Sequence, residues 1–174
     1  MKPLTAKEKA DLFTAIPEKE KRKARCCFTG QRAENVTRPV DDVKVALENE
    51  IIQAINDGYK TFITGMAAET DIWAGCTVLR LKSRFPEIKL IVAVPYPGFR
   101  KQLPTVLHKN YDRILSEADL VKTISPVYDE STYQSRNEWM IDHSSRIIAV
   151  NDGKPGCVTR YAKEKEVDVR CVRT

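Results

Sequence analysis

Two short apolar runs in this chain end in the same dipeptide, Cys26-Cys27-Phe28-Thr29-Gly30 and Phe62-Ile63-Thr64-Gly65. Each is followed by a polar stretch and then by helical spacing. The first turn of a helix carries unpaired backbone N–H groups and partial positive charge, and a glycine just before it lets an anion approach that backbone closely. The chemistry on offer is capture of a phosphate or carboxylate. An ordinary strand-to-helix turn would explain either glycine alone. Doubled on two strands of a parallel sheet, the arrangement places Gly30 and Gly65 at one crevice on the sheet's carboxyl edge, where α/β proteins bind nucleotides.

Arg32 follows the first Thr-Gly. An arginine beside exposed N–H groups can hold a phosphate bidentately, or it can simply pair with Glu34 on the surface. After the second Thr-Gly, Met66-Ala67-Ala68-Glu69-Thr70-Asp71 leads into a helix. Asp71 is placed to accept from a ribose hydroxyl, or to complement the helix dipole. Trp73 reads as core. Farther on, Arg136, Met140 and His143 share one helical face, and Asn137 and Ile141 the next. Arg136 and Asn137 are therefore ligand candidates. Asp142 and His143 are adjacent in sequence and point apart on a helix, which argues against a charge relay. The loop Asn151-Asp152-Gly153-Lys154-Pro155-Gly156 adds Asp152 and Gly156 to the binding set. No Walker loop, GxGxxG, Gly-x-Ser-x-Gly, kinase or zinc-protease pattern occurs. Five cysteines, Cys26, Cys27, Cys76, Cys157 and Cys171, have no CxxC or histidine-spaced partner and read as buried reduced thiols; no metal and no cofactor are expected.

The elements that must position these residues follow from spacing. A chain of 174 residues suits one domain with a full core. Residues 1–24 read as a charged extension, with Thr5 capping a short helix over Ala6–Ile16 and a basic connector holding Lys19, Lys21, Arg22 and Lys23. Residues 25–174 read as the body. Strands are expected at Arg25–Thr29, Thr61–Thr64, Lys89–Val94, Leu120–Ile124, Ile147–Val150 and Val167–Val172. Helices are expected at Val40–Asp57, from Thr70 or Asp71 to before Pro86, and at His108–Glu117, Ser131–Asp142 and Val158–Lys165. Pro95–Pro104 is an irregular loop, a lid or side wall at the carboxyl edge. Strict alternation predicts an α/β fold, a Rossmann-like doubly wound parallel sheet with helices on both faces. No apolar run approaches the ~20 residues of a membrane span, and Met1–Arg25 lacks the apolar centre of a signal peptide. The expected location is the cytoplasm, with no membrane partner. Net charge is +5, but aromatic residues are not interleaved with the basic run, so nucleic acid is not expected as a partner.

Six segments together carry a family resemblance: Cys26–Arg32 (CCFTGQR), Ile63–Ala74 (ITGMAAETDIWA), Val78–Ile88 (VLRLKSRFPEI), Arg136–Ser144 (RNEWMIDHS), Ile147–Gly153 (IIAVNDG) and Tyr161-Ala162-Lys163. The chain from Cys26 onward resembles the YpsA-related branch of the SLOG superfamily, which also contains the LOG phosphoribohydrolases and the Smf/DprA DNA-processing proteins. The resemblance implies a Rossmann-like fold and a nucleotide-derived ligand, ADP-ribose or a relative. It also exposes departures. Gln31-Arg32-Ala33 stands where His-Arg-Pro is usual, Glu69 where glycine is usual, and Cys76 where glutamate is usual. The late Gly-Gly-Thr loop is reduced to Pro155-Gly156-Cys157, and the LOG pattern Pro-Gly-Gly-x-Gly-Thr-x-x-Glu is absent. A carboxylate at Glu69 would repel a phosphate placed beside it.

The leading expectation is recognition of a nucleotide-like small molecule without strong catalysis, through Thr29, Gly30, Arg32, Thr64, Gly65, Asp71, Arg136, Asn137, Asp152 and Gly156. A LOG-like N-glycoside hydrolase using Glu69 or Asp71 is the first alternative, and an Smf-like nucleic-acid interaction module the second. A homo-oligomer is left open.

Overall fold

The computed structural model describes residues 16–174. The helix expected over Ala6–Ile16 falls outside them except for its last residue. The stretch read as a basic connector contains a short helix, α1 (Glu18–Arg22). Its Arg22 donates to the carbonyls of Ser144 at 2.7 Å and Lys165 at 3.1 Å, both just past helix C-termini, where a cation is favoured.

The body then runs β1 (Arg25–Gly30), α2 (Val40–Asn56), β2 (Thr61–Thr64), α3 (Glu69–Leu81), β3 (Lys89–Val94), α4 (His108–Glu117), β4 (Leu120–Thr123), α5 (Thr132–Asp142), β5 (Arg146–Asn151), α6 (Cys157–Glu164) and β6 (Asp168–Arg173). The six strands form one sheet in the order β4-β3-β2-β1-β5-β6, and every pairing is parallel. The expected Rossmann-like α/β architecture is the one adopted, with element ends shifted by a residue or so.

Alternation along each strand assigns its side chains to the two faces. Cys26, Phe28, Phe62, Leu90, Val92, Ile148 and Val150 face α2, α3 and α4, meeting Leu47, Ile51, Ile72, Val78 and Ile114 in the larger core. Cys27, Ile63, Ile91, Ala93 and Ile147 face α5 and α6, meeting Met140, Ile141 and Ala162. Central strands buried on both faces must be apolar throughout. The edge strand β4 is exposed along its whole length. Three cysteines depart from the expected burial. Cys26 and Cys27 are fully buried, whereas Cys76 is half-buried and Cys157 and Cys171 are exposed; Cys157 opens α6, and Cys171 points outward from the edge strand β6, whose next residue, Val172, is buried. Among the described residues no helix is long and apolar enough to cross a membrane.

Helices α3 and α4 approach closely at Gly75, where a built Cβ would lie 3.0 Å from Ile114 Cδ1. Replacing Gly75 by leucine overfills that contact and should cost about 1–3 kcal/mol in urea-induced unfolding. Gly75→Ala should cost far less, because a gain of about 1 kcal/mol in helix propensity offsets the one added methyl. A Gly75→Leu midpoint equal to wild type would refute the close crossing.

Candidate functional site

Because all strands run the same way, Gly30, Thr64, Val94 and Asn151 end at one edge of the sheet. The chain order reverses between β1 and β5, so their two exit loops diverge to opposite faces and leave a crevice. A cavity of about 200 Å³ occupies it, lined by Thr29, Gly30, Gln31, Asn151, Asp152, Lys154, Gly156 and the first residues of α6.

The wall opposite Gly30 is a turn built from its own side chains. Asn151 Oδ1 accepts from the Gly153 N–H at 2.8 Å, and Asp152 Oδ1 from the Lys154 N–H at 3.0 Å. Gly153, at φ 87°, takes the left-handed conformation that closes this turn. The Lys154 amide and ammonium hold the Asp152 carboxyl below its ordinary range, the amide contributing most. Thr159 Oγ1 accepts the Gly156 N–H at 2.8 Å. The N–H groups of Cys157, Val158 and Thr159 open α6 with no intrahelical acceptor. Nothing would lie within 4 Å of a Cβ at Gly156, so the space over that helix end is open.

The other two glycines are crowded by protein. A Cβ on Gly30 would meet Thr70 Oγ1 at 2.1 Å, and one on Gly65 would meet Arg136 Cδ at 2.9 Å and Met140 Sδ at 3.0 Å. Thr70 Oγ1 donates to the Gln31 carbonyl at 3.0 Å, tying the β1 exit to the start of α3. Glu69 contributes a second tie, its carboxylate accepting the Ala33 N–H at 3.1 Å. It lies in the first turn of α3, where negative charge is favoured. Together Arg32, Glu34, Ala67, Ala68 and Glu69 line a second cavity of about 400 Å³, whose far wall is Gln102, Leu103, Pro104 and Leu107. The proline-rich loop thus forms a side wall.

Behind this edge lies a buried cluster. Arg136, 4% exposed, donates from Nη1 to the Gly65 carbonyl at 2.8 Å and from Nε to Asn137 Oδ1 at 3.0 Å. Asp71, 5% exposed, accepts the Ala67 N–H on Oδ2 at 2.9 Å, while Oδ1 has no partner. Thr64 Oγ1 donates to the Asp71 carbonyl at 3.0 Å. Between the two anchored groups, Met66 is wholly buried with φ at 58°, a conformation costly for a side chain of its size. Asp71 and Arg136 clamp that turn from both ends. Burial pushes the Asp71 carboxyl up from 3.8 to about 6, against the opposing pull of Arg136 and the loop amides. Burial also lowers the Arg136 guanidinium.

The candidate residues therefore fall into four groups. Thr29, Gly30, Asp152 and Gly156 line the switch-point cavity; Arg32 and Glu69 line the second. Asn137 faces a separate groove between α5 and α6. Thr64, Gly65, Asp71 and Arg136 form the clamp and line none of these spaces. Sequence reasoning passed over Gln31, Lys154 and Cys157; the signal for Gln31 and Cys157 was adjacency to a glycine already singled out, and for Lys154 its place in the loop that holds Asp152 and Gly156.

Comparison with known proteins places this geometry. The family model described as the YspA SLOG family matches residues 30–170. The UPF0398 protein BH1768 of Halalkalibacterium halodurans is 28% identical over 127 residues, covering 71% of this chain and 67% of that protein. A UPF0398 protein of Ligilactobacillus salivarius is 26% identical over 129 residues, covering 73% and 70% respectively. Among solved structures, DNA processing protein A from Helicobacter pylori superposes with a TM-score of 0.59 at 19% identity. The alignment covers 88% of this chain and 66% of that one, and the neighbour's structure is described for its single-stranded DNA binding mode. At that identity the likeness is one of fold, and it overturns one expectation. Nucleic acid was discounted because basic and aromatic residues do not alternate along the chain. In a parallel sheet, however, donors and cations from distant segments converge on one edge, and a neighbour of this fold holds single-stranded DNA.

The buried Asp71 carboxyl makes stability depend on pH. Folded chains bind its proton where the unfolded carboxyl has already lost it, so this group's contribution falls as pH rises from 3.8 to about 6 and is level above that. Across that window wild type should lose on the order of 2–3 kcal/mol relative to Asp71→Asn, read from urea midpoints. Parallel profiles for the two proteins would show that Asp71 is not desolvated.

Proposed function

This chain belongs to the YpsA SLOG family, and we propose that it binds single-stranded nucleic acid by its phosphates along the carboxyl edge of the sheet. One observation carries the reading: the crevice at the β1–β5 switch point is walled by the open N-terminus of α6 and by Lys154. Unpaired N–H groups on a helix end, beside a cation and open space, are the elements that hold a phosphate. Arg32, exposed at the mouth of the neighbouring cavity, supplies a second cation on the same edge. The single-stranded DNA bound by the H. pylori neighbour supports the polymer as the form in which the phosphate arrives. Glu69 does not bar this reading, because it lines the neighbouring cavity and not the switch-point crevice at the N-terminus of α6.

A free nucleotide of the ADP-ribose type is the second reading. It is favoured by the closed extent of the switch-point cavity, about 200 Å³, which seats the phosphate end of a small ligand and not a continuous track. The two readings differ in what competes with what.

Titration with a short oligothymidylate over a range of salt concentrations tests the proposal. Log affinity against log salt should be linear, with a slope near −0.7 for each phosphate neutralised. Arg32→Ala should shallow that slope by about 0.7 and weaken binding roughly tenfold, the loss of one charge-assisted contact. Lys154→Ala should do the same. Tight, saturable ADP-ribose binding with no oligonucleotide binding at low salt would transfer the assignment to the second reading. An Arg32→Ala slope equal to wild type would remove Arg32 from the interface.

A further inference from the structure

The groove between α5 and α6, about 500 Å³ in volume, is not used by the phosphate site, yet the two adjoin. Cys157 and Val158 line both. Ligand pockets for small organic molecules run from about 300 to 1,000 Å³. The switch-point cavity alone is therefore too small for a nucleotide. Joined to the groove, it is large enough.

The chemistry of the two spaces is divided by charge. The crevice offers helix-end N–H groups, and its Lys154 is balanced by Asp152 at 3.5 Å, so it carries no net negative charge. The groove carries Glu138 and Glu164 against a single Arg160, so an anionic group gains nothing by entering it. Its apolar lining is Ile141, Val158 and Tyr161, and Lys165 already covers one face of the Tyr161 ring at 5.3 Å. An uncharged, flat, heteroatom-bearing group fits such a lining. A phosphate does not.

One hydrogen-bonding group in the groove is fixed in advance. Asn137 lines it, and its Oδ1 accepts from Arg136 Nε at 3.0 Å. A guanidinium has only donors, so the Asn137 oxygen must face Arg136 and the amide nitrogen must face away. Among the described residues that Nδ2 donates to no one. Arg136, locked by Gly65, thus presents Asn137 as an oriented donor in the groove.

We propose that the α5–α6 groove is the base subsite of the nucleotide whose phosphate sits at the N-terminus of α6. Asn137 Nδ2 donates to a carbonyl oxygen or ring nitrogen of the base. The inference rests on the phosphate-binding reading above and extends it from the backbone of the ligand to its base.

Oligothymidylate and an abasic oligomer of the same length and phosphate count separate the two claims. The base-bearing strand should bind at least tenfold more tightly, the ordinary worth of one well-seated base. Asn137→Asp keeps the oxygen that Arg136 requires, deletes the donor and adds a negative charge that weakens both strands alike, so the ratio of base-bearing to abasic affinity should fall about fivefold. A second readout is chemical: bound oligothymidylate should slow alkylation of Cys157 several-fold, with exposed Cys171 as the reference, and the abasic strand should slow it less. Equal binding of both strands, with the salt slope intact, overturns the base subsite and leaves the phosphate reading standing. A ratio unmoved by Asn137→Asp, or Cys157 alkylated alike under both strands, also overturns it. Binding of neither strand overturns both readings.

Discussion

A parallel sheet cannot be closed by hairpins, and that constraint organises this molecule. Each strand must be followed by a crossover that returns the chain to the starting edge, so every strand exit collects at the other edge. Here β1 lies between β2 and β5, and the chain winds outward from it in both directions. The exits of β1 and β5 therefore part to opposite faces of the sheet. No side chain has to be arranged to make the crevice; the winding makes it. What the sequence must supply is a lining, and it does so with short polar loops whose side chains are largely spent on holding their own backbone. Asn151, Asp152 and Thr159 each accept a nearby N–H, which leaves the α6 end and Lys154 to face the cavity.

Rigidity at the same edge comes from a more expensive device. Two opposite charges, Asp71 and Arg136, are buried behind the β2 exit, and neither is fully satisfied by the other. Each instead anchors one end of the turn that contains Met66. Buried charges of this kind are poor contributors to net stability, and a left-handed methionine is strained. Their joint presence fixes the backbone of Ala67 and Ala68, which line the second cavity. The clamp also reaches farther. Arg136 orients Asn137 as well as Gly65, so one buried guanidinium couples the β2 exit to the groove on the opposite helix layer.

The sheet was legible because its signals are local. The apolar run at Cys26–Phe28, the continuous run at Leu90–Val94 and the regular return of helical spacing fix strand and helix type almost independently of context. The candidate site was legible only by segment. Thr29-Gly30 and Thr64-Gly65 do mark the edge, yet the physical reason for their glycines differs from the one their position suggested. Gly30 makes room for Thr70, and Gly65 for Arg136 and Met140; the open helix end belongs to Gly156. Nothing in a linear pattern distinguishes a glycine that admits a ligand from one that admits a neighbouring side chain, because the neighbour lies forty or seventy residues away. Burial was misjudged for the same reason at Cys157 and Cys171, whose exposure depends on which helix end and which strand are outermost.

Charge is the property of this molecule hardest to read from the chain. The basic run before β1 caught the eye as sequence, but in the folded chain its Arg22 is committed to the ends of α5 and α6 and lies at the opposite edge from the crevice. The cations that matter stand apart from that run: Arg32 at the second cavity, and Lys154, paired with Asp152, beside the open end of α6. A polyanion recognises the field of the surface and not the spacing along the polymer that made it. Two scattered cations at one sheet edge can therefore do what a contiguous basic run at the wrong edge cannot.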